Sequence, residues 1–325
     1  MKSDSKPVTS LSIFVVSFNT RELTRRCLTS VFENAGDVDF EITAVDNASR
    51  DGSSEMIERD FPQVRLISSA ENLGFGVANN LAARDAVGDW FLLLNPDAEV
   101  VGPAIGQLLD FAQEHREAGI LGGRTLNEDR SLNPWSCRRR PTPWSMFCHG
   151  TGLSTAFRFN PLLDPDSLGR WQRDSVRQVD VVSGCFFMVQ RGLWERLGGF
   201  DADFFMYGEE TDFCMRAHSL GYRPLITPDA QVIHEGAASE TVRADKMIRL
   251  FAAHATLFRK HWSRGSSGFG RAMLWLWAAT RVLGGWLLGC AGNENAGRKG
   301  GEWREVFRRR REWLYGYPAT GDRAP

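Results

Sequence analysis

Acidic side chains follow a strongly apolar run in the stretch "FLLLNPDAEV" at residues 91–100. The apolar part is typical of a buried strand, and Asn95 and Asp97 come directly after it. A carboxylate at a strand end can bind Mg²⁺ or Mn²⁺, because both ions prefer oxygen ligands. Asn, Pro and Asp also favour turns for local reasons. Taken alone, this stretch fits a metal site and a simple turn equally well.

A second acidic group lies in "YGEETDFC" at residues 207–214, where Glu209, Glu210 and Asp212 stand within four residues. Neighbouring acids repel one another, and a desolvated carboxylate among them can have a raised pKa, which suits a general base. The alternative is a structural role, because acids in the first turn of a helix are stabilised by the helix dipole. His234 ends a later apolar run, and a single histidine is more often structural than a ligand.

Two glycines, Gly74 and Gly76, stand in "NLGFGVANN" at residues 72–80, just ahead of a predicted helix. Glycine at such a position lets the backbone approach a ligand closely. Asn79 stands where the third glycine of a dinucleotide fingerprint would be, so an oxidoreductase with a dinucleotide fold is disfavoured. A helix entry that needs flexible backbone angles is the alternative interpretation.

The elements that must position these residues alternate from residue 11 onward. Short β-branched runs at 11–18, 40–47 and 64–69 are separated by amphipathic stretches at 20–34 and 49–61. This rhythm predicts an α/β fold with a mostly parallel central sheet flanked by helices. Polar residues gather where the strands stop, and the carboxyl ends of parallel strands line one crevice. The sequence therefore predicts that those polar residues face a shared cleft, namely Ser17, Asn19, Asp46, Asn47, Asn95 and Asp97.

The middle of the chain changes character. A helix is predicted from Pro103 to about residue 118 and a strand at 119–126, whereas residues 127–175 are rich in Pro, Trp and Arg with little periodicity. We interpret this segment as an irregular loop region better suited to binding than to core building. Order resumes with a strand near 179–189, a short helix closed by Gly198 and Gly199, and a helix from residue 209.

Composition limits the class of protein. The chain has 325 residues, 42% hydrophobic and 24% charged, which is ordinary for a globular protein. The net charge of −1 gives no overall attraction for nucleic acid. Six cysteines without CxxC pairs favour a reducing compartment over a disulfide framework, and residues 1–10 show no secretory signal. A cytoplasmic location is expected.

The C-terminal part differs from the rest. Residues 271–290 are mostly apolar and long enough for a membrane span, although Arg281 and the pair Gly284 and Gly285 weaken that interpretation. A basic piece rich in Arg, Trp and Phe follows at 298–315. Together they favour a helical extension at a membrane interface, held by aromatics and anionic lipid. A helical hairpin that packs on the main domain is the alternative.

The order of these motifs resembles glycosyltransferase family 2, the inverting enzymes with a GT-A fold. The resemblance covers about residues 11–262 and is closest to bacterial rhamnosyltransferase-like members. The stretches that carry it are "VVSFNTRELTRRCLTSV", "VDNASRDGS", "NLGFGVANN", "LLLNPDAEV", "GGFDADFFMYGEETDFCMRAHSLGYR" and "VIHEGAAS". It implies a GT-A domain at 1–262, with a nucleotide-sugar half at about 11–125 and an acceptor half at about 126–262. Residues 263–325 form the membrane-associating extension.

The resemblance also implies roles for single residues. Ser17 and Asn19 would frame the nucleotide, and Asp46 would hydrogen-bond the pyrimidine or the ribose. The stretch with Asn72, Gly74 and Gly76 belongs to the same nucleotide half.

The family's Asp-x-Asp motif falls on Asn95 and Asp97, so Asp97 would hold Mg²⁺ or Mn²⁺ against the donor diphosphate. His234 matches a position that completes the metal site in some members. Glu210 matches the catalytic base, with Glu209 before it and Asp212 after it. The neutral Asn95 makes metal affinity depend more on the diphosphate, and the longer Glu210 leaves open whether it or Glu209 is the base.

The expected function is thus the metal-dependent, inverting transfer of a sugar, with rhamnose from dTDP-L-rhamnose as one candidate. The expected partners are a dTDP- or UDP-linked donor, a glycan or polyprenyl-diphosphate-linked acceptor, and the inner face of the cell membrane. Trp135, Trp144 and Trp171 would stack on sugars, and the basic residues 138–140 would meet an acceptor diphosphate. A non-catalytic scaffold that binds sugar nucleotides at the membrane is the alternative.

Overall fold

The computed structural model describes residues 10–234, 236 and 243–320. The predicted absence of a secretory signal concerns residues 1–10, nearly all of which lie outside the described part. Most of the end of the "VIHEGAAS" motif also lies outside it.

The strands of the described residues are β1 (Leu11–Ser17), β2 (Phe40–Asp46), β3 (Arg65–Ser68), β4 (Trp90–Leu94), β5 (Ala98–Val101), β6 (Ile120–Leu126), β7 (Cys137–Arg138), β8 (Arg177–Gln178), β9 (Val181–Val182), β10 (Phe186–Gln190) and β11 (Leu225–His234). The α-helices are α1 (Arg21–Asn34), α2 (Ser53–Asp60), α3 (Phe75–Ala83), α4 (Ala104–Glu114), α5 (Pro143–Thr151), α6 (Leu153–Ala156), α7 (Arg191–Leu197), α8 (Glu209–Ser219), α9 (Arg243–His261), α10 (Arg264–Cys290) and α11 (Glu294–Arg308).

Two compact units are interleaved along the chain. The first, called here the sheet unit, contains the described residues of Met1–Arg138, Gln172–Asp201 and Glu210–Ser239. The second, the helical unit, contains those of Arg139–Trp171, Ala202–Glu209 and Glu240–Pro325. The predicted functional division has its boundaries at about residues 125 and 262, which differ from the boundaries of these two units. That division stays a prediction.

The sheet unit is built on a nine-stranded sheet in the order β3-β2-β1-β4-β10-β6-β11-β5, with β8 beside β11. Strands β3, β2, β1 and β4 are parallel, whereas β10 runs antiparallel between β4 and β6. The parallel register places Ser17 opposite Asp46, and Asp46 opposite Ser68. Polar residues at these strand ends therefore share one edge of the sheet, as the sequence predicted.

Alternate residues of a strand point to opposite faces of the sheet. Strands β1 and β4 and most of β2 are buried on both faces, whereas β3 is partly exposed. On one face Ile13 and Leu92 pack with Leu28 of α1 and Leu108 of α4 in the main core. On the other face lies an aromatic cluster whose ring centroids are 4.9 to 6.2 Å apart, formed by Phe14, Phe91, Phe187, Trp194, Phe200 and Phe213. The buried aromatic rings hold α7 and α8 against the sheet.

The helical unit has its own aromatic core. The ring of Phe251 in α9 lies 5.2 Å from Trp277 of α10, 6.0 Å from Trp303 of α11 and 5.0 Å from Trp313. Helix α5 packs against α10 so closely that a Cβ on Gly150 would lie 2.9 Å from the carbonyl oxygen of Met273.

The prediction that residues 127–175 are irregular is wrong in part, because α5 and α6 lie within them. Thr142 caps α5 by accepting a hydrogen bond from the backbone N–H of Ser145, whose hydroxyl accepts one from the N–H of Thr142. Pro143 occupies the first helical turn, where its missing N–H costs nothing. These local signals outweigh the unfavourable Pro- and Trp-rich composition.

Candidate functional site

The clearest polar pair at the carboxyl edge of the sheet joins Asp97 to His234. Asp97 follows β4, and His234 ends β11 opposite Ala98 of β5, so the strand register brings the two side chains together. His234 Nε2 lies 3.1 Å from Asp97 Oδ1 and 3.2 Å from Asn95 Nδ2. The two predicted metal ligands, Asp97 and His234, are thus in contact in the structure, with Asn95 beside them.

The Asp97 carboxyl is largely buried, with 9% of its side chain exposed. Burial alone would raise its pKa, but the hydrogen bond and positive charge from His234 outweigh that effect and hold the pKa below its usual value. The side chain is therefore a buried anion. Anionic oxygen beside an imidazole is a suitable donor set for Mn²⁺ or Mg²⁺.

This donor set is small. The described residues contain no group of three or more His, Cys, Asp or Glu side chains arranged to hold a metal ion. Mg²⁺ is commonly held by one or two carboxylates together with substrate phosphates. Asp97, His234 and the Asn95 amide therefore fit an ion that is completed by the oxygens of a bound diphosphate.

Asp46 ends β2 and is 4% exposed. Its Oδ2 accepts a hydrogen bond from the backbone N–H of Ser49 at 3.2 Å, whereas its buried Oδ1 has no hydrogen-bond partner among the described residues. A buried carboxylate oxygen without a partner is costly. Such an oxygen is suited to accept a hydrogen bond from a ligand.

The two residues predicted to frame the nucleotide organise the loops around Asp46. The Ser17 hydroxyl is fully buried and lies 3.1 and 3.0 Å from the hydroxyls of Thr20 and Thr24. Asn19 Oδ1 accepts from the N–H of Arg50 at 2.8 Å, and the Asn19 N–H donates to Ser49 Oγ at 2.9 Å. Asn19 thereby ties the loop after β1 to the loop after β2. Direct contact of either residue with a nucleotide stays a prediction.

The segment before α3 is fixed by two asparagines. Asn72 Oδ1 accepts from the N–H of Gly74 at 2.9 Å and from Nδ2 of Asn47 at 3.0 Å. Gly74 has φ 78° and ψ 174°, a conformation essentially restricted to glycine, and Gly76 is buried in the first turn of α3. The tight entry explains Gly74, and nucleotide contact by either glycine stays a prediction. Sequence reasoning missed the linking role of Asn47, although it stands in the "VDNAS" motif.

Glu210 lies in the first turn of α8 and is 8% exposed. Its Oε1 is 2.5 Å from Nη2 of Arg138, which also donates to Thr211 Oγ1 at 2.6 Å. The sequence predicted an acceptor diphosphate as the partner of Arg138, and it did not predict this ion pair. The candidate base is thus an oriented carboxylate engaged by a guanidinium.

The two flanking acids differ from Glu210. Asp212 is 1% exposed, and its Oδ2 accepts from Nε of Arg216 at 2.6 Å. Arg216 also donates to the carbonyls of Leu197 and Gly199, so this pair fastens α8 to the end of α7. Glu209 is 4% exposed. The structure therefore gives Asp212 a structural contact, while the choice between Glu209 and Glu210 as base remains a prediction.

One chain of contacts within the sheet unit links the candidate base to the candidate metal ligand. Phe213, three residues after Glu210, packs its ring edge-on against Phe187 of β10 at 6.0 Å. Phe187 pairs in the antiparallel register with Leu93 of β4, four residues before Asp97. The two carboxylates are therefore carried by elements that share one aromatic core.

Sequence reasoning also missed Asn80, which clamps the turn after α7. Its Nδ2 donates to the carbonyl of Phe200 and its Oδ1 accepts from the N–H of Phe200, both at 2.8 Å. The local signal was the pair of asparagines, Asn79 and Asn80, within an otherwise apolar helix.

Comparison with known proteins gives a consistent result. The family model described as "Glycosyl transferase family 2" matches residues 12–197. The N-acetylglucosaminyl-diphospho-decaprenol L-rhamnosyltransferase of Mycobacterium tuberculosis is 32% identical over 228 residues, which is 67% of this chain and 73% of that protein. Rhamnosyltransferase WbbL of Escherichia coli K12 is 26% identical over 230 residues, 68% and 82% of the two chains.

Among solved structures, the mannosyltransferase PcManGT from Pyrobaculum calidifontis, in complex with GDP-Man and Mn²⁺, is similar with a TM-score of 0.56 and 16% identity. The match covers 93% of this chain and 87% of that one. GalNAc-T7 with UDP, GalNAc and Mn²⁺ has a TM-score of 0.50 over 70% of this chain and 43% of that chain, at 15% identity. The predicted GT-A fold is thereby confirmed.

Proposed function

The chain belongs to glycosyl transferase family 2 and is a glycosyltransferase. On that premise we propose that it transfers the sugar of a nucleoside-diphosphate donor to a polyprenyl-diphosphate-linked glycan. The transfer inverts the configuration at the anomeric carbon and uses a divalent metal ion. The observation that carries this proposal is the buried Asp97 bonded to His234 at the strand edge, on the same sheet unit as Glu210. This reaction needs one carboxylate that holds a metal ion against the leaving diphosphate and a second that accepts the proton of the nucleophile.

The chemistry is an in-line displacement at the anomeric carbon. The bond from an acceptor hydroxyl oxygen to that carbon forms while the bond from the carbon to the diphosphate oxygen breaks. Glu210 accepts the hydroxyl proton, a contribution of about 10² to 10⁴ in rate. Asp97 and His234, with Asn95 beside them, would hold Mg²⁺ or Mn²⁺, and the ion would neutralise charge on the departing diphosphate.

The residues around Glu210 would prepare it for proton transfer. Arg138 and Thr211 fix the direction of the Glu210 carboxylate. Fixed geometry supports catalysis because a well-oriented nucleophile and base avoid the entropic cost of a random encounter. For the proton to move, the guanidinium has to share the carboxylate with the acceptor hydroxyl.

Two features support the choice of substrates. Asp46 Oδ1, which has no hydrogen-bond partner in the described part of the chain, suits the N–H of a pyrimidine base, as in dTDP or UDP. Two relatives are named as rhamnosyltransferases, and the name of one specifies an N-acetylglucosaminyl-diphospho-decaprenol acceptor. We therefore take dTDP-L-rhamnose as the donor, a polyprenyl-diphosphate sugar as the acceptor, and cell-wall or surface-polysaccharide synthesis at the inner face of the cell membrane as the context.

The test uses the purified full chain with dTDP-L-rhamnose, Mn²⁺ and a short-chain polyprenyl-diphosphate N-acetylglucosamine. We expect release of dTDP and an acceptor product heavier by one deoxyhexose, with the configuration at the anomeric carbon inverted. UDP-glucose serves as the donor control. Retained configuration, or transfer at full rate after metal removal, would contradict the proposed mechanism.

The alternative of a non-catalytic scaffold is tested in the same assay. A scaffold would be protected against thermal unfolding by the sugar nucleotide, because a ligand that binds only the native state stabilises it. It would produce neither transfer nor donor hydrolysis with any donor. Turnover by the wild-type chain, lost in Glu210→Gln, excludes the scaffold.

A further inference from the structure

The last two turns of α10 expose large apolar side chains. Leu283, Trp286, Leu287 and Leu288 have 56, 54, 53 and 54% of their surface in solvent. Successive helix residues are about 100° apart, so Leu283, Trp286 and Leu287 share one face of α10, and Leu288 lies about 100° round the helix from Leu287. A helix on the surface of a soluble protein normally hides one apolar stripe and exposes a polar face. In α10 the apolar face itself is exposed here, which indicates a further contact surface.

Helix α11 packs on this part of α10 through glycines. A Cβ on Gly300 would lie 3.0 Å from Cα of Gly285, and a Cβ on Gly289 would lie 3.1 Å from Cα of Gly297. The two backbones are therefore in direct contact, and the larger side chains of α10 are left on the outside. Small residues at close helix contacts are also the usual packing device of helices in lipid. We call residues 283–299 the hairpin tip.

The segment that contains the hairpin tip carries a net positive charge. Residues 264–312 contain ten Arg and Lys but only four Glu, a net charge of +6. The whole chain carries −1, so the rest of it carries −7. Exposed Arg298 and Lys299 directly follow Gly297, which touches Gly289, so they lie near the level of Leu288. An apolar tip bordered by cations is complementary to an anionic phospholipid surface.

Helix α10 is long and apolar enough to cross a membrane by length and composition. Its earlier turns, however, are engaged inside the helical unit. The Trp277 ring stacks on His149 at 4.6 Å, Thr280 Oγ1 donates to the carbonyl of Gly150 at 3.3 Å, and Arg281 donates to Thr155 Oγ1 at 2.5 Å.

These contacts leave only residues 283–290 for the lipid. Eight residues of α-helix extend about 12 Å at a rise of about 1.5 Å each. A hydrocarbon core of about 30 Å is too thick for such a segment, whereas interfacial helices enter about 5 to 10 Å. The length fits shallow insertion.

We propose that the hairpin tip is a membrane-docking wedge for anionic phospholipid bilayers. The apolar side chains of α10 enter the boundary between headgroups and acyl chains, while Arg298 and Lys299 contact the phosphates. This inference is independent of the sugar and the acceptor, because it concerns only the lipid surface.

Cys290 provides a reporter inside the hairpin tip. It is exposed, whereas the other five cysteines are buried. We would label Cys290 of the full chain with an environment-sensitive fluorophore and add vesicles of phosphatidylcholine alone or with about 30% phosphatidylglycerol. The proposal predicts a blue shift and flotation with the anionic vesicles, reversed by high salt, and a much smaller effect with phosphatidylcholine. An emission spectrum unchanged by anionic vesicles would overturn it.

Matched variants separate docking from folding. Leu283, Leu287 and Leu288 all changed to Ser should lower the vesicle partition coefficient at least tenfold, whereas Val87→Ser, at a position 67% exposed in the sheet unit, should leave it unchanged. Arg298→Gln with Lys299→Gln should lower the coefficient roughly 30-fold, since each basic residue near the surface contributes about 1 kcal/mol. Arg84→Gln with Arg196→Gln, two exposed positions of the sheet unit, is the control. Circular dichroism verifies that every variant is folded.

Two further results would overturn the proposal. Retention of the chain in vesicles after an alkaline carbonate wash would indicate a span and not a wedge. Conversion of a dimer to a monomer by the triple Ser variant, without vesicles, would show that a second copy of the chain covers the leucines.

Discussion

Glu210 and Arg138 form an ion pair in the sheet unit, with 2.5 Å between Oε1 and Nη2, although 72 residues separate them in the chain. The Glu210 side chain is 10% exposed and that of Arg138 is 27% exposed, so the carboxylate is the less accessible partner. Arg138 also donates to Thr211 of the same helix. In the proposed reaction this second bond would keep the guanidinium in place when the carboxylate turns toward an acceptor hydroxyl.

Replacement of Glu210 by Gln tests the assigned base. The amide keeps the shape and still accepts a hydrogen bond from Arg138, but it cannot take a proton, so kcat should fall by about 10² to 10⁴. The donor KM should change little. Glu209→Gln is the neighbouring control and should retain activity. If Glu209→Gln is inactive and Glu210→Gln is active, the base is Glu209.

Replacement of Arg138 by Gln tests the positioning of that base. Without the guanidinium the carboxylate loses its fixed direction, and a misplacement of about 1 Å can cost about 100-fold in rate. We expect kcat to fall by about that factor, an unchanged donor KM, and partial recovery in Arg138→Lys. Equal activity of the Gln and Lys variants, with only a lower melting temperature, would reduce Arg138 to a structural role.

The ion pair also shows where sequence reasoning ends. The predicted strand at 11–18 and helix at 20–34 agree closely with β1 at Leu11–Ser17 and α1 at Arg21–Asn34. They were predictable because the spacing of apolar residues within a short segment indicates its secondary structure. The partner of Glu210 depends on the tertiary fold, which brings together two residues that are 72 positions apart. No local pattern near Arg138 encodes that contact.

Replacement of Asp97 by Asn tests the metal site without relying on turnover. The amide keeps the size of the side chain but removes the anionic ligand. In the wild-type chain, Mn²⁺ with dTDP at a hundred times its Kd should stabilise the fold by about 2.7 kcal/mol. In Asp97→Asn the Mn²⁺-dependent part of the rise in melting temperature should disappear. A full Mn²⁺-dependent shift in the variant would remove Asp97 from the metal site.

Replacement of Asp46 by Asn tests recognition of the base. The N–H of Ser49 needs an oxygen from residue 46, so the Asn amide would turn its NH₂ toward the pyrimidine N–H and place two donors together. The loss should be about 1 to 3 kcal/mol, or roughly 5- to 150-fold in the Kd for dTDP measured by calorimetry. Asp37→Asn, at an exposed position, is the control. An unchanged Kd would place the pyrimidine elsewhere.

The site shows a similar division between local and distant information. The polar ends of β1, β2 and β4 were predictable because parallel strands bring their carboxyl ends to one edge. The contact of Asp97 with His234 needed the family resemblance, since β11 reaches β5 through a sheet order that periodicity does not reveal. The first turns of α5 carried a capping signal in Thr142, Pro143 and Ser145, and composition alone obscured it.

We expect the Asp203 carboxylate to make the stability of the helical unit depend on pH in the acid range. Its carboxylate lies 2.7 Å from Lys260 Nζ and accepts from the N–H and the hydroxyl of Thr320 at 2.7 and 2.8 Å. Burial acts to raise its pKa, but these hydrogen bonds lower the pKa from 3.8 to about 2. The ionised form therefore stabilises the fold above pH 3.8, and that stabilisation is lost as the pH falls toward 2.

Urea unfolding at pH 6 and at about pH 2.5 measures the contribution of the Asp203 carboxylate to the free energy of unfolding. Asp203→Asn should be less stable than the wild-type chain at pH 6 by about 1 kcal/mol, a value reduced because solvent screens a carboxylate near the surface. At the lower pH the difference should shrink, since the wild-type carboxyl is then partly protonated. Asp229→Asn, at an exposed position, should match the wild-type chain at both pH values. A stability difference that stays constant between the two pH values would show that Asp203 acts through its shape and not through its charge.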